Sequence, residues 1–161
     1  MWQQELLRNL ESLVAAHPSI DAIRPHGSVA TGELDSWSDL DVVLTVPCAR
    51  LRYVFPDLGW LAPLGSIYAM SSNFGAEASV VRIVFENLER LDIRIIPAEP
   101  ATTYLPSDRG APIPLTPIQE RTAVFLFEAL LATAKIGRND FLIGGHLVLN
   151  LERMVLELAM L

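Results

Sequence analysis

Cysteine is nearly absent. Cys48 stands alone among 161 residues, so the sequence holds no internal disulfide framework and no cysteine-built zinc site. A lone thiol fits a reducing, cytoplasmic setting, which is the expected location. No apolar run reaches the ~18 residues that a membrane-spanning helix needs. The first residues, MWQQELLRNLESLVAAH, lack the basic stretch and long apolar core of a secretory signal. Positive charge is also scarce. Twelve Lys and Arg against nineteen Asp and Glu give a formal net charge of −7. A chain that grips nucleic acid through its phosphates normally carries a basic face, so no nucleic-acid partner is expected. Half of the residues are hydrophobic, enough for a substantial core in one domain, or in one domain and part of a second.

Most of the chemistry is concentrated between His26 and Val46, HGSVATGELDSWSDLDVVLTV. Asp39 and Asp41 open an apolar run, Leu40, Val42, Val43, Leu44 and Val46, that reads as a strand. Residues two apart on a strand share a face at a spacing of about 6.5–7 Å. The two carboxylates therefore project together, while Leu40, Val42 and Leu44 point into a core. Adjacent carboxylates repel each other, and a divalent cation with oxygen ligands is the simplest reason for a fold to place them side by side. Gly27 allows a sharp turn and close approach to a ligand, and Ser28 is expected to cap the turn that follows. A short helix opening there would present free N–H groups to an anion. The bland alternative is a surface turn beside a solvated strand end.

Further along, residues 2–16 carry helical spacing (Leu6, Leu7, Leu10, Leu13, Val14), and residues 20–25 read as a strand that delivers His26 and Gly27. His26 itself is expected to be packed at the strand end. Residues 49–57 suggest a short helix with Tyr53 and Phe55 inward. Residues 65–71 and 79–86 read as strands around a turn at Ser72–Gly75. In RLDIRIIP, Leu91, Ile93 and Ile95 alternate with Asp92 and Arg94, as in a half-buried strand. Asp92 is a candidate third carboxylate. The alternative is an ion pair with Arg82, Arg90 or Arg94. Six of the eleven prolines fall between Pro97 and Pro117 and mark a linker. Two helices follow, one from Pro117 to about Gly137 and one from about Asn139 to the end. The apolar stripe of the last helix, Leu147, Leu151, Met154, Val155 and Leu158, needs a cover. Another chain (a second copy or a helical partner through 139–161) or more of a longer protein would supply it, the latter being preferred.

The Gly-Ser pair, followed after ten residues (Val29–Ser38) by Asp-x-Asp on a strand, resembles the polymerase β-like nucleotidyltransferase superfamily. Several elements narrow the likeness to the streptomycin-type aminoglycoside adenylyltransferases and the lincosamide nucleotidyltransferases. These are Trp60-Leu61 with Leu64-Gly65, Val84-Phe85-Glu86 leading to Leu91-Asp92-Ile93, and Lys135-Ile136-Gly137-Arg138. The chain departs from many relatives in carrying Val29 and Ala30 after Ser28.

The resemblance implies an α+β fold, a mixed five-stranded sheet with flanking helices, followed by the start of a helical domain. It divides the chain into a catalytic domain over 1–100, a linker over 101–117 and a helical segment over 118–161. It also implies transfer of AMP from ATP to a hydroxyl of a small acceptor, an aminoglycoside- or lincosamide-like antibiotic, with release of pyrophosphate. In that scheme Asp39, Asp41 and Asp92 bind two Mg²⁺ ions, and Asp92 serves as general base. Gly27, Ser28 and Lys135 hold the nucleotide's phosphates. Two other readings are an antitoxin-like enzyme that modifies a helical partner protein and a non-catalytic nucleotide-binding module.

Overall fold

The structure is a computed structural model and describes residues 1–54, 58–74, 78–99 and 116–161, without the side chains of residues 52 and 74. The described residues form two compact units. One holds residues 1–34 and those from 39 to 99, and the other holds 35–38 and those from 116 onward.

The first unit is built on one five-stranded sheet. Its strands are β1 (Ala22–His26), β2 (Leu40–Val46), β3 (Ile67–Phe74), β4 (Ser79–Phe85) and β5 (Arg90–Pro97), arranged in the order β1-β2-β5-β4-β3. Only the central pair, β2 and β5, is parallel, so the sheet is mixed. Strand alternation sends Leu40, Val42, Leu44 and Val46 to one face, joined there by Leu91, Ile93 and Ile95 of β5 and by Val81, Ile83 and Phe85 of β4. Helix α1 (Trp2–Ala16) covers this face with Leu6, Leu10 and Val14, spaced as one helical stripe. Leu7 and Leu13, also on the expected list, are only half-buried. Ile93 is fully buried at the centre of the sheet. Ile93→Ala should therefore cost about 2–5 kcal/mol through lost burial and a residual cavity, read as a lowered denaturant midpoint.

Three local expectations are corrected. Strand β3 begins at Ile67 and runs to Phe74, through the expected turn at Ser72, because its backbone pairs with β4 as far as Ser79. Gly65 instead ends a 3-10 turn over Gly59–Leu64 with φ +148°. The segment after β2 is a 3-10 turn (Cys48–Arg50) running into a one-turn helix, α3 (Leu51–Val54). It buries Leu51 and Val54, and Tyr53 points out with 58% exposure. Phe55, Gly75 and nearly all of the proline-rich stretch, with Tyr104 and Arg109, lie outside the described residues.

The second unit contains α4 (Pro117–Gly137) and α5 (Phe141–Ala159). Thr116 caps α4 in a reciprocal arrangement with Gln119, and Pro117 occupies the first turn, where its missing N–H costs nothing. Asp140 accepts a bond from the Ile143 N–H and opens α5. The helices meet closely at Gly144, where a Cβ would lie 2.6 Å from Ile136 Cγ1. Residues 35–38 pack on the same unit. Arg138 clamps Asp35 with Nε–Oδ2 2.8 Å and Nη2–Oδ1 3.0 Å, and it donates to Ser38 Oγ at 2.6 Å. These bonds hold the Asp35 carboxyl down at about 2. Trp37 lies over Gly137, which has no room for a side chain. No helix among the described residues is long and apolar enough to cross a membrane.

Candidate active site

The sheet face opposite the core carries the polar positions of the strands. Register places His26, Asp41, Asp92, Arg82 and Ser71 in one row across β1, β2, β5, β4 and β3. Asp41 and Asp92 are direct neighbours on the parallel pair. Asp39, one residue before β2, completes the group, and one carboxylate oxygen from each of Asp39, Asp41 and Asp92 lies within 4.8 Å of the others. The three acids expected from separate strands are thus brought together.

Placing three carboxylates here has an electrostatic cost. Burial, followed by the charges of Asp39 and Asp92, pushes the Asp41 carboxyl up to about 6. Burial and then Asp39 also raise Asp92, against the pull of Arg82. Two arginines offset part of the repulsion. Arg90 Nη2 lies 2.8 Å from Asp39 Oδ2, and Arg82 Nε lies 3.2 Å from Asp92 Oδ2. The ion pair considered as an alternative for Asp92 therefore exists, formed by Arg82 alongside the carboxylate cluster. The Arg90 partnership with Asp39 was not foreseen. Its only sequence signal is that Arg90 stands two residues before Asp92 on the same strand face.

A raised carboxyl makes stability depend on pH. The folded chain holds a proton on Asp41 more tightly than the unfolded chain does between about pH 4 and about pH 6. This contribution is present below the unfolded value and disappears as pH rises through the folded one. In chelator, Asp41→Asn should match the parent near pH 4, where the parent carboxyl is protonated and nearly isosteric. Towards pH 7 the variant should become the more stable by about 1 kcal/mol, allowing for solvent screening. Thermal melts at fixed ionic strength across that range measure the divergence.

Gly27 opens α2 (Gly27–Thr31) at φ +61°, and a Cβ there would stand 2.6 Å from Asp41 Oδ2. The glycine is required both by its backbone angle and by its approach to the carboxylate. Ser28 lies inside α2, and His26, extended at φ −134°, is the residue before the helix. No side chain caps it, so the expected Ser28 cap is corrected. His26 is also exposed rather than packed, and it pulls the Asp41 carboxyl downward. Lys135 sits in the last turn of α4 in the other unit, with Nζ 3.7 Å from Asp140 Oδ2. Arg138 is engaged with Asp35 and Ser38, as described above. Cys48 is half-buried, and His146 and Glu152 are exposed on α5.

Residues 5–101 match the family model described as a nucleotidyltransferase domain. The chain belongs to that family. Its mixed sheet with flanking helices is the polymerase β-like nucleotidyltransferase fold. Among solved structures, an aminoglycoside 6-adenyltransferase from Bacillus subtilis is 14% identical at a TM-score of 0.48, covering 91% of this chain and 61% of its own. The polymerase core of TRAMP, an RNA surveillance complex, is 14% identical at 0.39, covering 80% of this chain and 35% of its own. The nucleotidyltransferase chain thus spans less than two thirds of the length of either structure. No curated protein matches it.

The donor set of the cluster suits a hard divalent cation. It offers three carboxylates, each with an oxygen within 4.8 Å of the others, and a cation would offset both the burial and the mutual repulsion that raise Asp41.

Proposed function

We propose that this chain is a Mg²⁺-dependent nucleotidyltransferase that moves AMP from ATP to a hydroxyl of a small acceptor. The observation that carries this is the convergence of Asp39, Asp41 and Asp92 beside the Gly27 turn, in a chain of the nucleotidyltransferase family. Asp39 and Asp41, with Asp92 shared, would hold the metal, two ions in the full complement. Bound there, Mg²⁺ supplies Lewis-acid polarisation of the reacting phosphate and neutralises its charge. The acceptor oxygen attacks the α-phosphorus, the bond to the bridging oxygen breaks, and pyrophosphate leaves. Asp92 takes the proton from the acceptor hydroxyl, a role suited to a carboxyl raised above its ordinary value. Gly27 and Ser28 bind the outer phosphates through backbone N–H groups, and Lys135 contributes positive charge to the departing pyrophosphate. The proposed division of labour is a catalytic domain over 1–100, a linker over 101–117 and a helical segment over 118–161.

The motif resemblance points to an aminoglycoside- or lincosamide-like acceptor. One observation favours a second reading, transfer to a helical protein partner: α5 exposes Leu142, Leu149 and Leu156 at seven-residue intervals. A second copy could occupy the same stripe. Incubating the chain with labelled ATP, Mg²⁺ and a panel of aminoglycosides, lincosamides, neutral and anionic sugars and helical proteins tests both readings. A labelled acceptor names the class. No labelled product together with no metal-dependent ATP binding would refute the enzyme reading and leave a chain that keeps the fold without the chemistry.

A further inference from the structure

The chain is acidic overall, yet one face of its sheet is not. Four of the twelve lysines and arginines, Arg24, Arg82, Arg90 and Arg94, fall on the strand positions that share the face of Asp41 and Asp92. Against them stand Asp39, Asp41 and Asp92, so these side chains give the face one more positive than negative group before any cation binds. Arg90 is largely enclosed and committed to Asp39. Arg82 and Arg94 are different. The Arg82 side chain is 53% exposed and gives only its Nε to Asp92, which leaves its terminal nitrogens without a partner among the described residues. Arg94 is exposed, two residues beyond Asp92, and has no ion pair among the described residues.

Their position fixes which reactant they meet. The Gly27 turn approaches Asp41 from the β1 side of the carboxylates, whereas Arg82 and Arg94 lie on the β5–β4 side. With the nucleotide's phosphates on the Gly27 turn, the arginines face the acceptor. A guanidinium with free terminal nitrogens binds carboxylate or phosphate in a two-pronged fashion and repels an ammonium. We infer that Arg82 and Arg94 are specificity-determining residues for a small hydroxyl-bearing acceptor that also carries a phosphate or carboxylate group. The inference rests on the proposed transferase reading, and within it disfavours a polycationic acceptor.

Equilibrium binding to the full chain, with Mg²⁺ and a non-hydrolysable ATP analogue present, provides the test. The probes are glucose 6-phosphate, glucose, glucosamine and a short single-stranded oligonucleotide. Glucose 6-phosphate should bind at least ten-fold more tightly than glucose or glucosamine. Arg82→Ala/Arg94→Ala should erase that preference, and Arg82→Lys/Arg94→Lys should restore part of it. Both side chains are exposed, so the variants should fold, and circular dichroism checks that they do. Equal or absent affinity for the anionic sugar, a preference for glucosamine, or a preference unchanged in the double alanine variant would overturn the inference. Tighter binding of the oligonucleotide than of the sugar phosphate would overturn its small-acceptor form. Failure of the ATP analogue itself to bind would instead count against the transferase reading, so the two failures are distinguishable.

Discussion

Asp41→Asn is expected to lower metal-dependent nucleotidyl transfer by ~10³-fold or more, equivalent to about 4 kcal/mol of lost transition-state stabilisation. Asp41 lies at the centre of the cluster. It neighbours Asp92 across the parallel strands, shares the cluster with Asp39, and has the Gly27 turn against its Oδ2. An amide keeps the shape and one weak oxygen ligand but removes the charge that a divalent cation requires. The same change relieves repulsion, so the metal-free variant should melt no lower than the parent at pH 7. A loss of activity without a loss of stability separates a functional acid from a structural one. Steady-state rates at saturating ATP and Mg²⁺, with melts on the same samples, test the pair of expectations. A variant that keeps more than about a tenth of the activity would contradict the assignment of Asp41.

Gly27→Ala is the second large effect. Its backbone lies at φ +61°, which costs a side-chain-bearing residue about 1–2 kcal/mol. The new Cβ would also stand 2.6 Å from Asp41 Oδ2, so either the turn or the carboxylate must move. Displacing a reacting group by about 1 Å costs on the order of 10²-fold in rate. Gly32 provides the control, since it has φ +76° but nothing within 4 Å of its missing Cβ. Gly32→Ala should carry the backbone cost alone and leave turnover nearly intact. Equal losses of activity in the two variants would show that backbone strain, rather than approach to Asp41, governs the turn.

The carboxylates were legible because strand alternation is a strong code. Asp39 and Asp41 precede and interrupt an apolar run, and Asp92 does the same on a second run, so face and depth followed from period two. Which strands become neighbours is a non-local matter. That Asp92 joins Asp39 and Asp41 was implied by the family resemblance, whereas the parallel pairing of β2 with β5 that sets Asp41 beside Asp92 is seen only in the structure. The Ser28 cap failed because Gly27 itself takes a left-handed angle and enters the helix, moving its start two residues earlier than a Ser28 cap would set it. Tyr53 failed because a one-turn helix has too few residues for amphipathic spacing to fix which side is inside. The Arg90–Asp39 pair lay beyond strand periodicity, since Asp39 stands one residue before β2, Arg90 opens β5, and only the pairing of those strands brings them together.

The most direct measurement is of metal itself. Titration of Mn²⁺ into the full chain without nucleotide, followed by the loss of the free-ion resonance signal, measures divalent cations bound by the chain itself without needing an acceptor. The expected result is saturable binding by the parent chain, weakened at least ten-fold in Asp39→Asn, Asp41→Asn and Asp92→Asn. Indistinguishable binding by the parent and all three variants, or none by the parent, would contradict a metal centre at these carboxylates.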